Sequence, residues 1–155
     1  MRNLTLPSVA IVATAVFSCT SYSKTSYYTG DRYQDSLIKS VDNKLESQGR
    51  ISVNRYKKQI GQDSLVYYAV EKATNRLVSV GFSETKDDRR TVYTLMNGEL
   101  VKVLYKPNHR KGEVANIYFY ENGKLVYKRD RNPDSPDSQK FLNDINFFKA
   151  TLGVL

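Results

Sequence analysis

From residue 64 to residue 129 apolar and polar side chains alternate with a period of two. On either side of that stretch the period is close to 3.6. The change of period predicts a helix, a sheet and a second helix. Upstream, Tyr33, Leu37, Val41 and Leu45 recur every fourth residue and Ile38 widens the stripe. These positions give one apolar face to a helix over 32–48, with Asp31 as N-cap and Gly49 as stop. The alternating stretch divides into six strands, at 65–71, 76–82, 90–96, 99–105, 113–120 and 124–129. Asn97-Gly98 and Asn122-Gly123 are the strongest turns, because a tight hairpin needs two residues at positive φ. All the connections are short, so successive strands pair antiparallel. The closing helix is expected over 136–151. Ser135 caps it, Pro136 takes its first position and Asp137 faces the positive end of its dipole. Its apolar stripe is Phe141, Ile145, Phe148 and Leu152, broadened by Leu142, and Gly153 ends it. The segment 50–63 reads two ways: Ile51 and Val53 alternate as in a strand, whereas Tyr56 and Ile60 are a helical turn apart. The fold class is α+β, an antiparallel meander of about six strands flanked by an N-terminal and a C-terminal helix.

Direct pairing across the two-residue turns assigns side chains to faces. It sets Tyr118 opposite Tyr127, Tyr120 opposite Leu125 and Tyr93 opposite Lys102, all on a tyrosine-rich face. The other face is aliphatic, with Val92, Val101, Val103, Ile117, Phe119 and Val126. A sheet apolar on both sides needs cover on both or offers one to a partner. The tyrosine face is therefore either packed structure beneath the last helix or a recognition surface. On the second reading the binding residues are Tyr93, Lys102, Tyr118, Tyr120 and Tyr127, with Arg129 at the edge. The two hairpins also echo one another, sharing Tyr, Asn-Gly and Leu-Val over 93–101 and 118–126. The stretch Tyr120-Glu121-Asn122-Gly123-Lys124-Leu125 resembles units of bacterial MORN-like repeat proteins. With two units in place of a long regular array, the likeness reads as a shared hairpin plan rather than membership.

The N-terminus carries an address. Arg2 precedes an apolar run from Leu4 to Phe17 that ends at Ser18-Cys19, and Cys19 is the one cysteine of the sequence. The run is too short to span a bilayer, which takes about 20 apolar residues, and it has the layout of an export signal. Val16-Phe17-Ser18-Cys19 resembles the lipobox of bacterial lipoproteins. That resemblance implies a diacylglycerol on the Cys19 thiol, removal of residues 1–18, and attachment to a membrane through lipid on Cys19. Two other readings stand beside it: cleavage after Ala13-Thr14-Ala15, which leaves Cys19 a thiol near the new start, and a buried N-terminal strand. The cysteine count favours the lipobox, since a lone cysteine forms no internal disulfide. The chain then divides into a signal (1–18), a lipidated cysteine with a flexible Ser/Thr/Tyr tether (19–30), and a single α+β domain (31–155).

Charge and chemistry narrow the function. The chain carries 24 basic and 16 acidic side chains. Losing Arg2 with the signal leaves 24 − 1 = 23 against 16, an excess of +7. Such a surface favours anionic partners. Export turns that preference away from nucleic acid and toward lipid headgroups, surface polysaccharide or an acidic protein. His109 sits alone in a basic loop with no second histidine to help it hold a metal, and no serine lies in a nucleophile-elbow motif. No cofactor-binding motif is present and no catalytic set stands out. The expectation is a lipid-anchored, non-enzymatic binding or assembly module of the bacterial cell envelope, with an unknown protein or anionic envelope component as partner. The alternative is a small envelope hydrolase that gathers carboxylates such as Asp63, Glu84, Asp88 or Glu113 in one concave site.

Overall fold

The computed structural model describes residues 32–47, 51–108, 115–130 and 135–155. Helix α1 (Arg32–Ser47) is followed by seven strands: β1 (Val53–Gln59), β2 (Ser64–Glu71), β3 (Leu77–Glu84), β4 (Arg89–Met96), β5 (Glu99–Lys106), β6 (Asn116–Glu121) and β7 (Lys124–Arg129). Helix α2 (Ser138–Leu152) closes the chain. The strands lie side by side in chain order in one antiparallel sheet. The α+β meander between two helices is as the sequence predicts, with one strand more. The additional strand is β1, from the segment that read two ways. Tyr56 and Ile60 are four residues apart, and four is both two strand repeats and about one helical turn. In the sheet the pair shares a face: Tyr56 stacks on Tyr68 at 5.1 Å and Ile60 packs against the core. Lys58, between them, reaches α2 and donates to the Thr151 carbonyl (3.0 Å), where a cation suits the helix dipole. β1 is an edge strand, and Arg55, Lys57 and Lys58 discourage further pairing along it.

Each face of the sheet has its own core. α2 lies on one face and buries Phe141, Ile145 and Phe148 against Val66, Val80, Tyr93, Val103, Tyr118 and Tyr120. α1 lies on the other and buries Ile38 and Val41 against Val101, Ile117, Phe119 and Tyr127. The α1 stripe is rotated from the expected one. Ile38, Val41 and Leu45 carry the contact, while Tyr33 is 72% exposed. At α2 the cap also differs. Asp137, not Ser135, is the N-cap, and its carboxylate accepts from the Gln139 amide at 2.8 Å. Gly153 ends the helix in the left-handed region (φ 66°), as expected. The expected cap Asp31 and stop Gly49 of α1 lie outside the described residues.

Both Asn-Gly turns form, with φ of 53° and 81° at Asn97 and Gly98 and of 51° and 71° at Asn122 and Gly123. Beyond the first pairs the register departs from direct two-residue hairpin pairing. Leu95 opposes Leu100 but Thr94 opposes Lys102, so Val101 is an extra residue. Tyr120 opposes Leu125 but Phe119 opposes Tyr127, so Val126 is extra. Between β2 and β3, Val70 opposes Leu77 and Ala69 opposes Ser79, which leaves Val78 extra. All three bulges fall on the valine of a Leu-Val pair that follows an asparagine at positive φ. A bulge adds twist and re-aims the residues past it. The echo between the hairpins is thus an echo of backbone geometry. Replacing Gly98 or Gly123 with valine is expected to destabilise the fold by about 1 kcal/mol or more in each case, because a β-branched residue resists positive φ. Urea denaturation midpoints check it, and nothing lies within 4 Å of the site of a Gly123 side chain to add a steric contribution.

Candidate functional surface

The proposed tyrosine surface does not exist as one face. Tyr118 (0% exposed), Tyr120 and Tyr93 lie under α2. Their rings meet the helix aromatics, Tyr118 with Phe141 at 4.7 Å and Tyr93 with Phe148 at 5.6 Å. A buried phenol needs a partner for its hydroxyl, and each of the three has one. Tyr93 donates to Asp144 (2.7 Å), Tyr120 to the Ser138 carbonyl (2.9 Å) and Tyr118 to Asp130 (3.1 Å). Ser135, expected as a helix cap, instead bonds the Tyr118 hydroxyl and donates to Asp130 at 2.9 Å. Lys128 pairs with Asp130 and lies over the Tyr118 ring at 5.7 Å.

Ser135, Tyr118, Lys128 and Asp130 are side-chain types from which an activated serine can be built, but the phenol is on the wrong side of its titration. Burial, and then the Asp130 charge, push the Tyr118 hydroxyl well above the ordinary tyrosine range, so it stays protonated and is no base. Burial likewise raises Tyr120, and burial with the Asp144 charge raises Tyr93. Partial desolvation works against ionisation of Asp130. Hydrogen bonds from Lys128, Ser135 and Tyr118 outweigh it and hold that carboxyl below its usual value. The group ties the segment before α2 to the sheet.

The bulges send the remaining members of the proposed face to the opposite side. Past Val101, Lys102 opposes Thr94 and Phe119 instead of sharing a face with Tyr93. It is 2% exposed, sits 5.1 Å over the Phe119 ring and lies 3.8 Å from Asp42 of α1. Past Val126, Tyr127 opposes Phe119 and packs beneath α1. Arg129 is half-buried beside Ile117 on that same side. Val103, assigned to the aliphatic face, moves the other way, into the α2 core.

What remains open is half of the α1 face. The register lines up Lys57, Tyr67, Gly81, Val92, Leu104 and Ile117 across the sheet, and next to them Arg55, Ala69, Ser79, Thr94, Lys102 and Phe119. α1 packs over the β5–β7 end of these rows. Over β1–β4 no described element covers them. The middle of this area is small and hydroxylated, with Ala69, Ser79, Gly81, Ser83 and Thr94. Tyr67 stands above it at 36% exposure, with the Lys57 ammonium 5.5 Å from its ring centre. Around it lie Arg55, Lys57, Arg90 and Lys106. Among the described residues none of these four is in ion-pair contact with a carboxylate. Elsewhere Lys44 pairs with Glu121, Arg89 with Asp87 and Glu84, and Lys140 with Asp144. The sequence signal for this area was the small residues at alternate positions of β3, Ser79, Gly81 and Ser83, with Arg55 and Lys57 two strands away on β1, and it was hidden while β1 had no assigned place in the sheet.

Cys19, His109 and Glu113 lie outside the described residues. Of the carboxylates weighed for hydrolysis, Asp63, Glu84 and Asp88 are at or beside turns at one end of the sheet, and Glu84 is 3.6 Å from Arg89. At the other end Glu71 and Arg76 border a small open cleft with Leu77, Leu95 and Asn97, where Thr74 bonds Glu71. Among the described residues no cluster of histidine, cysteine, aspartate or glutamate is arranged to hold a metal, and no helix is long and apolar enough to cross a membrane. No protein-family model matches the chain, and no match is found among curated proteins or solved structures.

Two predictions test these assignments. Lys102→Ala is expected to cost about 2–4 kcal/mol, since it empties a buried volume as well as removing the cation beside Asp42. Lys102→Met removes the same cation but keeps the volume, so it is expected to cost less by about 1 kcal/mol or more; chemical denaturation of the pair compares them. The raised phenols of Tyr93, Tyr118 and Tyr120 set an alkaline limit. Their folded values lie above the unfolded value of about 10, so the stability linked to them is complete below pH ~10 and is lost as pH rises beyond it. Phenolate absorbance should therefore show a late step that coincides with loss of circular dichroism. Full ionisation in a still-folded protein would contradict the burial.

Proposed function

We propose that this chain is a lipid-anchored, non-enzymatic binding or assembly module of the bacterial cell envelope. Lipid on Cys19 holds it to a membrane, with the α+β domain outside the cytoplasm. The observation that carries the binding reading is the uncovered β1–β4 half of the α1 face, where Arg55, Lys57, Arg90 and Lys106 pair with no carboxylate among the described residues. A domain that needs only its own core has two helices to cover two sheet faces, and here one helix covers its face in part. Exposed sheet of this kind, rimmed by unneutralised cations, suits an anionic partner. The anchor reading is supported by the sequence: a short apolar leader with one positive charge, ending at the one cysteine. The hydrolase alternative draws less support, because Asp63, Glu84 and Asp88 sit on or beside turns and Glu84 is engaged by Arg89.

Mass spectrometry of the protein recovered from a bacterial host tests the anchor. The expected mature chain begins at an acylated Cys19, and Cys19→Ser is expected to move the protein to the soluble fraction with an unchanged thermal midpoint. A chain that keeps Met1, or one that begins at Val16, would contradict the anchor.

A further inference from the structure

We propose that the uncovered β1–β4 half of the α1 face is the surface on which the domain lies against an anionic bilayer. The inference deepens the reading of an anchored envelope module and rests on it for the way the domain meets the membrane. Three observations carry it. The first is charge: Arg55 and Lys57 on β1, Arg90 on β4 and Lys106 on β5 share this side of the sheet, and none has a carboxylate partner among the described residues. Each cation near an anionic leaflet tightens binding about fivefold. The second is relief. The middle of the area consists of the short side chains of Ala69, Ser79, Gly81, Ser83 and Thr94. Tyr67, with its apolar ring and polar tip, is of the type that settles at a headgroup boundary. The third is connection. The described domain begins at α1, which lies on this same side of the sheet. From Cys19 to Arg32 there are 31 − 19 = 12 intervening residues, which span at most about 45 Å when fully extended. Lipid on Cys19 would hold the domain within about that distance of the headgroups, and α1, where the described residues begin, lies on the side of the sheet that carries the cations.

The test uses the full chain carrying Cys19→Ser, so that an acyl group does not dominate, in sedimentation with two kinds of vesicle. One is phosphatidylcholine alone; the other is an equal mixture of phosphatidylcholine and phosphatidylglycerol. Binding to the mixed vesicles is expected to be at least about tenfold tighter at low salt and to lose that advantage at high salt. Arg55→Glu with Lys57→Glu and Arg90→Glu is expected to abolish the advantage. The same three positions changed to Gln should lose part of it, and Lys124→Glu, on the far hairpin, should change it less than about twofold. All these residues are exposed, and circular dichroism verifies that the variants fold. Equal binding to both vesicles, or a full advantage in the triple Glu variant, would overturn the proposal. So would binding of soluble polyglutamate as tight as that of the mixed vesicles and equally sensitive to the triple substitution, since that assigns the face to an acidic protein. An unmodified Cys19 in the wild-type protein with the phosphatidylglycerol advantage intact would remove the anchor reading and leave this surface standing.

Discussion

The architecture depends on bonded tyrosine hydroxyls beneath α2. Tyr93, Tyr118 and Tyr120 supply large apolar rings to the main core, where they meet Phe141 and Phe148. Ring burial is favourable only while the attached oxygen keeps a partner, because an orphaned hydroxyl in a core costs about 1–3 kcal/mol. Asp144 and the Ser138 carbonyl belong to α2, Ser135 lies just before it and Asp130 directly follows β7. Helix and sheet are therefore mutually dependent: α2 satisfies the phenols of Tyr93 and Tyr120, which its own aromatic stripe helps to bury. The same arrangement fixes where α2 begins, since Asp137 is left to cap the helix while Ser135 is drawn to the sheet.

The second constraint is the bulge that recurs at Val78, Val101 and Val126. In β5 and β7 it exchanges the faces of the residues beyond it. Lys102 and Tyr127 go to the α1 side and Val103 to the α2 side. α1 is a modest helix with a narrow apolar contact. The bulges give it a seat of aromatic and aliphatic groups, and Lys102 gives it a charged contact at Asp42 and a cation over Phe119. Lys44 adds a link from the helix to Glu121 at 2.6 Å, on the surface and so of small energetic weight. The Lys102 ammonium is buried while Asp42 keeps access to solvent, so the contact joins α1 to the sheet at the edge of their shared core.

These two devices leave the open half of the α1 face as a remainder. α2 takes the tyrosine face and α1 takes the β5–β7 end of the other. β1 to β4 then present small residues and unpaired cations without a covering element among those described. Such a face, with cations that have no carboxylate partner among the described residues, favours an anionic partner. The polar cluster around Tyr118 has the side chains of a reactive site but not its proton balance. It reads as architecture, and the open sheet as the part left for interaction.

The order of helix, antiparallel strands and helix was legible from hydrophobic period alone, since a period of two and one of 3.6 bury different sets of side chains. The Asn-Gly turns were legible for a local reason as well, namely positive φ. β1 was not, because Tyr56 and Ile60 satisfy both periods and only pairing with β2 selects one. The faces of Lys102, Tyr127 and Val103 were not, because one extra residue per hairpin inverts all that follows it. The repeated Leu-Val after asparagine was visible but has no meaning until the ladder shows two residues opposing one. The sequence by itself determined the fold class, the Asn-Gly turns and the apolar stripe of α2. Only the tertiary structure decided which side chains lie beneath α1 and which beneath α2, because that depends on register, and one extra residue in a hairpin strand changes the register of all that follows.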